Sequence, residues 1–236
     1  MNSLPTKKYK CILFDLDHTL WDYETNAKET LYELYDSYDL GAKGVTDKES
    51  LYRQFRKVNV ELWDQYDRQL INHDFIRIER FKQILEHFGA YEEQLSTDIS
   101  VDYLNRCPTK GNLMPYAEEV LTYLFQNYKL TVVTNGFEEI QHMKLKSGNL
   151  HRFFDHIVTS QKAGHRKPSE KIFEYAMKAN GVNSDEALMI GDNLVTDIGG
   201  ARGAGIDSVF FNPEKIVHNG ETDREITCLS ELRSIL

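Results

Sequence analysis

Short apolar, β-branched runs recur along this chain at Cys11–Phe14 ("CILF"), Leu130–Val133 ("LTVV"), Ile157–Thr159 ("IVT"), Ala187–Ile190 ("ALMI") and Ser208–Phe211 ("SVFF"). None alternates with polar residues, so each reads as a strand covered on both faces. Helical patterns at Tyr116–Asn127, Glu138–Ser147, Ser169–Asn180 and Val195–Ala204 interleave with them, with Pro115 near a helix start and Gly181 just past a helix end. A strand, a helix and a second parallel strand connect in the right-handed sense, and repetition of that unit predicts an α/β fold with a parallel sheet between two helical layers.

Between Phe14 and Leu130 no run reads as a strand. Helical periodicity covers about 26–38, 47–69, 74–88 and 92–105, punctuated by Gly41, Gly44 and Gly89. The chain is therefore expected to carry a helical unit over 21–111, inserted after the first strand, while 1–20 and 112–236 form the sheet-bearing unit. At 236 residues it is long enough to bury a core in each. The terminal "EITCLSELRSIL" reads as a short strand followed by a closing helix.

Asp and Glu total 37 against 28 for Lys and Arg, a net charge of −9. No basic stripe is available for a nucleic-acid polymer, so none is expected as a partner. A small anion needs local cations, backbone N–H groups or a divalent ion to receive it against an acidic surface. The N-terminal "MNSLPTKKYK" lacks an apolar signal region, and no uncharged run approaches the roughly 20 residues of a membrane span. A cytoplasmic protein without a membrane partner, monomer or homodimer, is expected. Cys11, Cys107 and Cys228 are too widely spaced for a zinc site and odd in number for a disulfide framework.

In an open parallel sheet, ligands collect where the strands end at their carboxyl side. Asp15 and Asp17 stand at such an end, as do Thr134 and Asn135 after "LTVV", and Gly191 and Asp192 after "ALMI". Asp197 follows in the first turn of the next helix, and Lys167, held extended by Pro168, is the candidate cation.

This order of elements resembles the haloacid dehalogenase superfamily of phosphohydrolases. The motifs that carry the resemblance are "DLDHT" (Asp15–Thr19), "TNG" (Thr134–Gly136), Lys167 with Pro168, and "GDNLVTD" (Gly191–Asp197). The helical insertion is similar to that family's C1 cap, and the segments "VNVELWDQY", "TNGF", "RKPSEKIFEYA" and "GDNLVTDIGGARGAG" are similar to its branch of pyrimidine-preferring 5′-nucleotidases. The resemblance implies a Rossmann-like core, Mg²⁺ as cofactor, and a small phosphorylated metabolite, a nucleotide, as substrate.

It also implies roles. Asp15 would be the nucleophile, Asp17 the general acid and then base, and Lys167 the cation that offsets repulsion between Asp15 and an anionic ester. Mg²⁺ would sit on Asp15 and Asp192 with the carbonyl of Asp17. Thr134, Lys167 and the backbone N–H groups of Leu16, Asp17 and Asn135 would cradle the phosphoryl oxygens, with Thr19 and Asp197 behind them. Asp197 has two readings, orienting Lys167 or holding a metal-bound water. In the cap, Tyr23 follows the first motif, and Asn59, Trp63 and Tyr66 share one helical face at i, i+4, i+7. They are candidates to stack on and read a base; packing within the cap is the alternative.

Three rival readings are weighed. A haloacid dehalogenase needs neither Asp17 nor Mg²⁺. A phosphoglycolate or sugar-phosphate phosphatase, or a mutase, would use the same core with a different cap. A signalling receiver stores phosphate on an Asp after its third strand, whereas Asp15 follows the first.

Overall fold

The computed structural model describes residues 9–236; the polar N-terminal stretch noted above lies, through residue 8, outside them. Six strands form one parallel sheet: β1 (Cys11–Phe14), β2 (Lys129–Thr134), β3 (His156–Thr159), β4 (Ala187–Gly191), β5 (Asp207–Phe211) and β6 (Arg224–Ile226), in the order β3-β2-β1-β4-β5-β6. The five apolar runs are the first five strands, and the terminal segment supplies the sixth. Every residue of β1 and β4 is buried, as their unbroken apolar sequence requires.

β1 lies between β2 and β4, with Phe14 in register with Val132 on one side and Ile190 on the other. The chain builds outward from β1 to β3, then returns to the opposite side for β4. Strand order reverses at β1, so the carboxyl ends of β1, β2 and β4 share one rim.

The helices, in chain order, are α1 (Tyr23–Ser37), α2 (Lys48–Asp67), α3 (His73–His87), α4 (Glu93–Arg106), α5 (Ala117–Leu124), α6 (Glu138–Ser147), α7 (Ser160–Ala163), α8 (Glu170–Asn180) and α9 (Gly200–Gly203). The chain divides into two compact units. One holds the described residues up to Asp22 together with Gly111–Leu236; the other is Tyr23–Lys110.

In the sheet-bearing unit, Cys11 and Leu13 of β1 pack with Val133, Val158, Ala187 and Met189 of neighbouring strands against Ile172, Phe173 and Ala176 of α8. The next helix comes so close that a Cβ on Gly200 would stand 2.6 Å from the Phe173 ring and 3.0 Å from Pro168 Cα, so only glycine fits there.

Where the sequence predicts one helix over 195–204, the structure has a π-helical turn, Leu194–Gly199, leading into α9. The side chain of Asn193 accepts hydrogen bonds from Val195 N and Thr196 N, and its carbonyl accepts from both Asp197 N and Ile198 N, which widens the turn. Such wide turns concentrate at functional sites.

The other unit is a four-helix cluster. Asp47 and Asn72 cap α2 and α3 by accepting from Ser50 N and Phe75 N. Phe55, Phe81 and Tyr103 meet in its interior with ring centroids 5.1–6.0 Å apart. Among the described residues, no helix is long and apolar enough to cross a membrane.

Candidate active site

The rim at the carboxyl ends of β1, β2 and β4 gathers the predicted acids. Asp15, fixed by its N–H to the Ile190 carbonyl at 2.9 Å, lies with Asp192 and Asp197 so that one carboxylate oxygen of each falls within 4.8 Å of the others. Lys167 enters this cluster: its Nζ stands 2.5 Å from Asp15 Oδ1 and 2.6 Å from Asp197 Oδ1, with 2% of its side chain exposed. Asp197 thus ion-pairs with Lys167 and is also a member of the acid cluster. Asn193 N also donates to Asp197 Oδ2 at 3.0 Å, and Thr19 Oγ1 to Asp192 Oδ1 at 3.0 Å. Gly191 makes the arrangement sterically possible, since a Cβ there would stand 2.3 Å from Asp197 Oδ2.

Three enclosed carboxylates answered by one ammonium leave an excess of negative charge. Burial, reinforced by Asp197 and Asp192 and opposed by Lys167, drives the Asp15 carboxyl well above its usual range. Burial and the nearby Asp197 push Asp192 up to about 7. Desolvation pulls Lys167 downward, but Asp15 and Asp197 outweigh it and hold the ammonium above its ordinary value. A donor set of hard carboxylate oxygens with surplus negative charge fits a divalent, oxygen-preferring cation.

From β2, Thr134 is buried and its Oγ1 accepts from Gly136 N at 3.0 Å. The backbone N–H of Asn135 is the group expected to face phosphate; its side chain is engaged elsewhere, with Nδ2 donating to the Lys167 carbonyl at 3.0 Å and Oδ1 accepting from Lys167 N at 2.8 Å. The side chain thus clamps the peptide that carries the cation. The Lys167–Pro168 bond is cis. Between Asp15 and Thr19 the chain turns sharply, with His18 N and Trp21 N bonded to the Trp21 and Leu16 carbonyls. Among the described residues, the backbone N–H groups of Leu16 and Asp17 have no protein acceptor, which suits them to bind an oxyanion.

Asp17 lies apart from the three-acid cluster. Both its carboxylate oxygens are 2.7 Å from Lys144 Nζ on α6. Lys144 was not anticipated from sequence, although a signal existed: with Ile140, Gln141 and Leu145 it makes up the buried stripe of α6, an unusual place for lysine.

The candidates of the helical unit do not form one cluster. Tyr23 Oη is 3.1 Å from Tyr103 Oη. Asn59 Oδ1 accepts from Arg80 Nη1 at 3.0 Å, and the Arg80 guanidinium lies over the Tyr103 ring at 4.9 Å. Tyr66 stacks on His73 at 4.4 Å, with Trp63 edge-on to Tyr66 at 5.4 Å. Arg80, also unanticipated, is 2% exposed, and its Nε and Nη2 have no hydrogen-bond acceptor among the described residues.

The sequence model of haloacid dehalogenase-like hydrolases matches residues 12–211. The chain is 30% identical over 210 residues to the pyrimidine 5′-nucleotidase PynA of Streptococcus pneumoniae, covering 88% of this chain and 86% of that one. It is 32% identical over 206 residues to a glyceraldehyde 3-phosphate phosphatase of Methanopyrus kandleri, covering 85% and 82%. Among solved structures, the HAD-hydrolase YfnB of Bacillus subtilis bound to magnesium superposes with a TM-score of 0.87 at 26% identity, covering 97% of this chain and 99% of that one.

Proposed function

The chain belongs to the haloacid dehalogenase-like hydrolase family, and from that membership and the chemistry of its site we propose that it is a Mg²⁺-dependent phosphomonoester hydrolase acting on pyrimidine nucleoside 5′-monophosphates. The observation that carries this reading is Asp15, enclosed at the end of β1 with Lys167 Nζ at 2.5 Å and Asp192 in the same acid cluster. Asp15 and Asp192 would hold Mg²⁺, which when bound neutralises charge on the phosphoryl group and offsets the surplus of the carboxylates.

The chain's own residues divide the chemistry. An Asp15 oxygen attacks phosphorus, forming an acyl phosphate as the bond to the ester oxygen breaks; Asp17 gives that oxygen a proton. Water then attacks the same phosphorus, Asp17 takes its proton, and the Asp15–phosphorus bond breaks to release phosphate. Lys167, oriented by Asp197 and by the Asn135 clamp, offsets the repulsion between Asp15 and the approaching ester. Thr134 and the backbone N–H groups of Leu16, Asp17 and Asn135 are the proposed phosphoryl contacts. Tyr23, Asn59, Trp63 and Tyr66 of the helical unit are proposed to recognise the nucleoside.

The presence of Asp17 disfavours carbon–halogen chemistry, which has no leaving group to protonate. The relative named as a glyceraldehyde 3-phosphate phosphatase supports a second reading, a sugar-phosphate substrate on the same core. A screen of phosphomonoesters in Mg²⁺, reading released phosphate, separates the two by kcat/KM. Many equivalents per chain, abolished in Asp15→Asn and in excess EDTA, are expected. One stable equivalent would instead indicate phosphate storage, and undiminished turnover in Asp15→Asn would refute the nucleophile.

A further inference from the structure

We infer that Lys144 is a positioning residue for Asp17: its ammonium, gripping both carboxylate oxygens, sets the plane from which Asp17 transfers protons. The inference rests on the phosphohydrolase reading above and adds to it a residue outside the four motifs.

The geometry is specific. Lys144 Nζ is 2.7 Å from each oxygen of Asp17, with 6% of the lysine side chain and 24% of the aspartate exposed. The same Nζ lies 4.6 Å from the centroid of the Trp21 ring, and Trp21 is wholly buried. A cation between a carboxylate and an indole face is fixed from two sides, and shielding from water strengthens both attractions. Trp21 is in turn tied to the Asp17 segment, because His18 N donates to the Trp21 carbonyl and Trp21 N to that of Leu16.

Lys144 also links two parts of the site. It sits on α6, which begins three residues after Asn135, so the helix that follows the Thr134–Gly136 turn reaches back to the carboxylate after β1. A carboxylate oxygen has two lone-pair directions. A grip that uses one direction on each oxygen leaves the other free to carry the transferred proton, and prevents the carboxylate from turning about its bond to Cβ. Lysine at this buried place on α6 incurs a desolvation cost that simple packing would avoid with Leu or Met.

In the first half-reaction the bond from phosphorus to the ester oxygen breaks, the bond to Asp15 forms, and the proton of Asp17 passes to the departing oxygen. An alkoxide needs that proton, whereas p-nitrophenolate leaves without it. Mispositioning of Asp17 therefore acts selectively on alkyl esters, while general damage to the fold affects both.

The test compares kcat/KM for uridine 5′-monophosphate and p-nitrophenyl phosphate in Mg²⁺. Lys144→Met, which keeps an unbranched stem over Trp21, is expected to lower the first by roughly 10- to 100-fold and the second by less than about threefold, a part of what general acid catalysis supplies. Lys144→Arg, able to hold a carboxylate at two points, should keep the ratio within about threefold of wild type. In an Asp17→Asn background, adding Lys144→Met should change kcat/KM less than about twofold, since the lysine then has no acid to position. Equal losses on both esters, or a further tenfold loss in the Asp17→Asn background, would overturn the inference while leaving the phosphohydrolase reading in place. Wild-type protein that releases phosphate from neither ester defeats both. Should Lys144→Met not fold, Lys144→Gln carries the same comparison.

Discussion

Asp192→Asn is expected to make the metal-free protein more stable at pH 8 while ending its Mg²⁺-supported turnover. Burial first, and then the Asp197 carboxylate, push the Asp192 acid up to about 7 from the usual 3.8. In the unfolded chain the group titrates near its ordinary value. Between about pH 4 and 7 the folded state thus retains a proton that the unfolded state has lost, and stability falls as pH rises through that window; above it the penalty is complete. Roughly three pH units at about 1.4 kcal/mol each set a ceiling of about 4 kcal/mol. About half of that ceiling, about 2 kcal/mol, is the working figure, or roughly 4–8 °C in the unfolding midpoint of a chain this size. The amide retains an oxygen for the Thr19 hydroxyl, which now donates to Asp192 Oδ1 at 3.0 Å, so the substitution orphans no donor. Thermal unfolding in EDTA should show the full gain at pH 8 and less than half of it at pH 5. A variant that is destabilised at pH 8, or equally shifted at both pH values, would refute the picture of surplus charge in the acid cluster.

Mg²⁺ should raise the wild-type midpoint progressively with the logarithm of its concentration, as any ligand confined to the folded state does, and should move Asp192→Asn far less; calorimetric scans at increasing Mg²⁺ check this, and an indifferent wild type counts against the cluster as a cation site. Gly191→Ala would bring a Cβ to 2.3 Å from Asp197 Oδ2, forcing Asp197 off Lys167; about 1–3 kcal/mol of lost stability, seen in urea melts, and a fall in kcat of at least about tenfold are expected. Asn135→Ala removes both hydrogen bonds to the Lys167 peptide and should lower kcat more than it alters KM for the preferred ester. If KM alone rises, Asn135 binds substrate and does not serve as a clamp.

What the sequence made legible follows from period and chain order. The predominantly apolar, β-branched runs located five strands to within a residue or two, because a strand covered on both faces carries few polar positions. α6 was expected at Glu138–Ser147 and spans those residues. With β1 between β2 and β4, the placing of Asp15, Thr134 and Asp192 at neighbouring strand ends follows from chain order alone. What escaped depends on side-chain direction. The wide turn after β4 arises because the Asn193 carbonyl accepts two N–H groups, a choice that helical periodicity does not encode. Position at a strand end speaks only for the backbone N–H of Asn135; its side-chain amide is complementary to a peptide arriving 32 residues later. In the helical unit, Asn59, Trp63 and Tyr66 share a helical face as their spacing requires, but their partners, Arg80 and His73, come from α3. Spacing along one helix says nothing about what a neighbouring helix brings.

The two acids of "DLDHT" end with different electrostatic partners, and this distinction bears on why a buried strand should close on such a pair. Asp15 shares the Lys167 ammonium with Asp197, inside a cluster whose remaining surplus of charge suits a metal ion. Asp17, two residues on, turns to Lys144 against an indole face. One ammonium serving both acids would tie their protonation states together, and a single site cannot then keep a nucleophile ionised while its neighbour alternately gives and takes a proton. Separate cations, drawn from the turn before α8 and from α6, give each acid a partner of its own. The carboxylates can therefore differ in function although the sequence places them almost side by side.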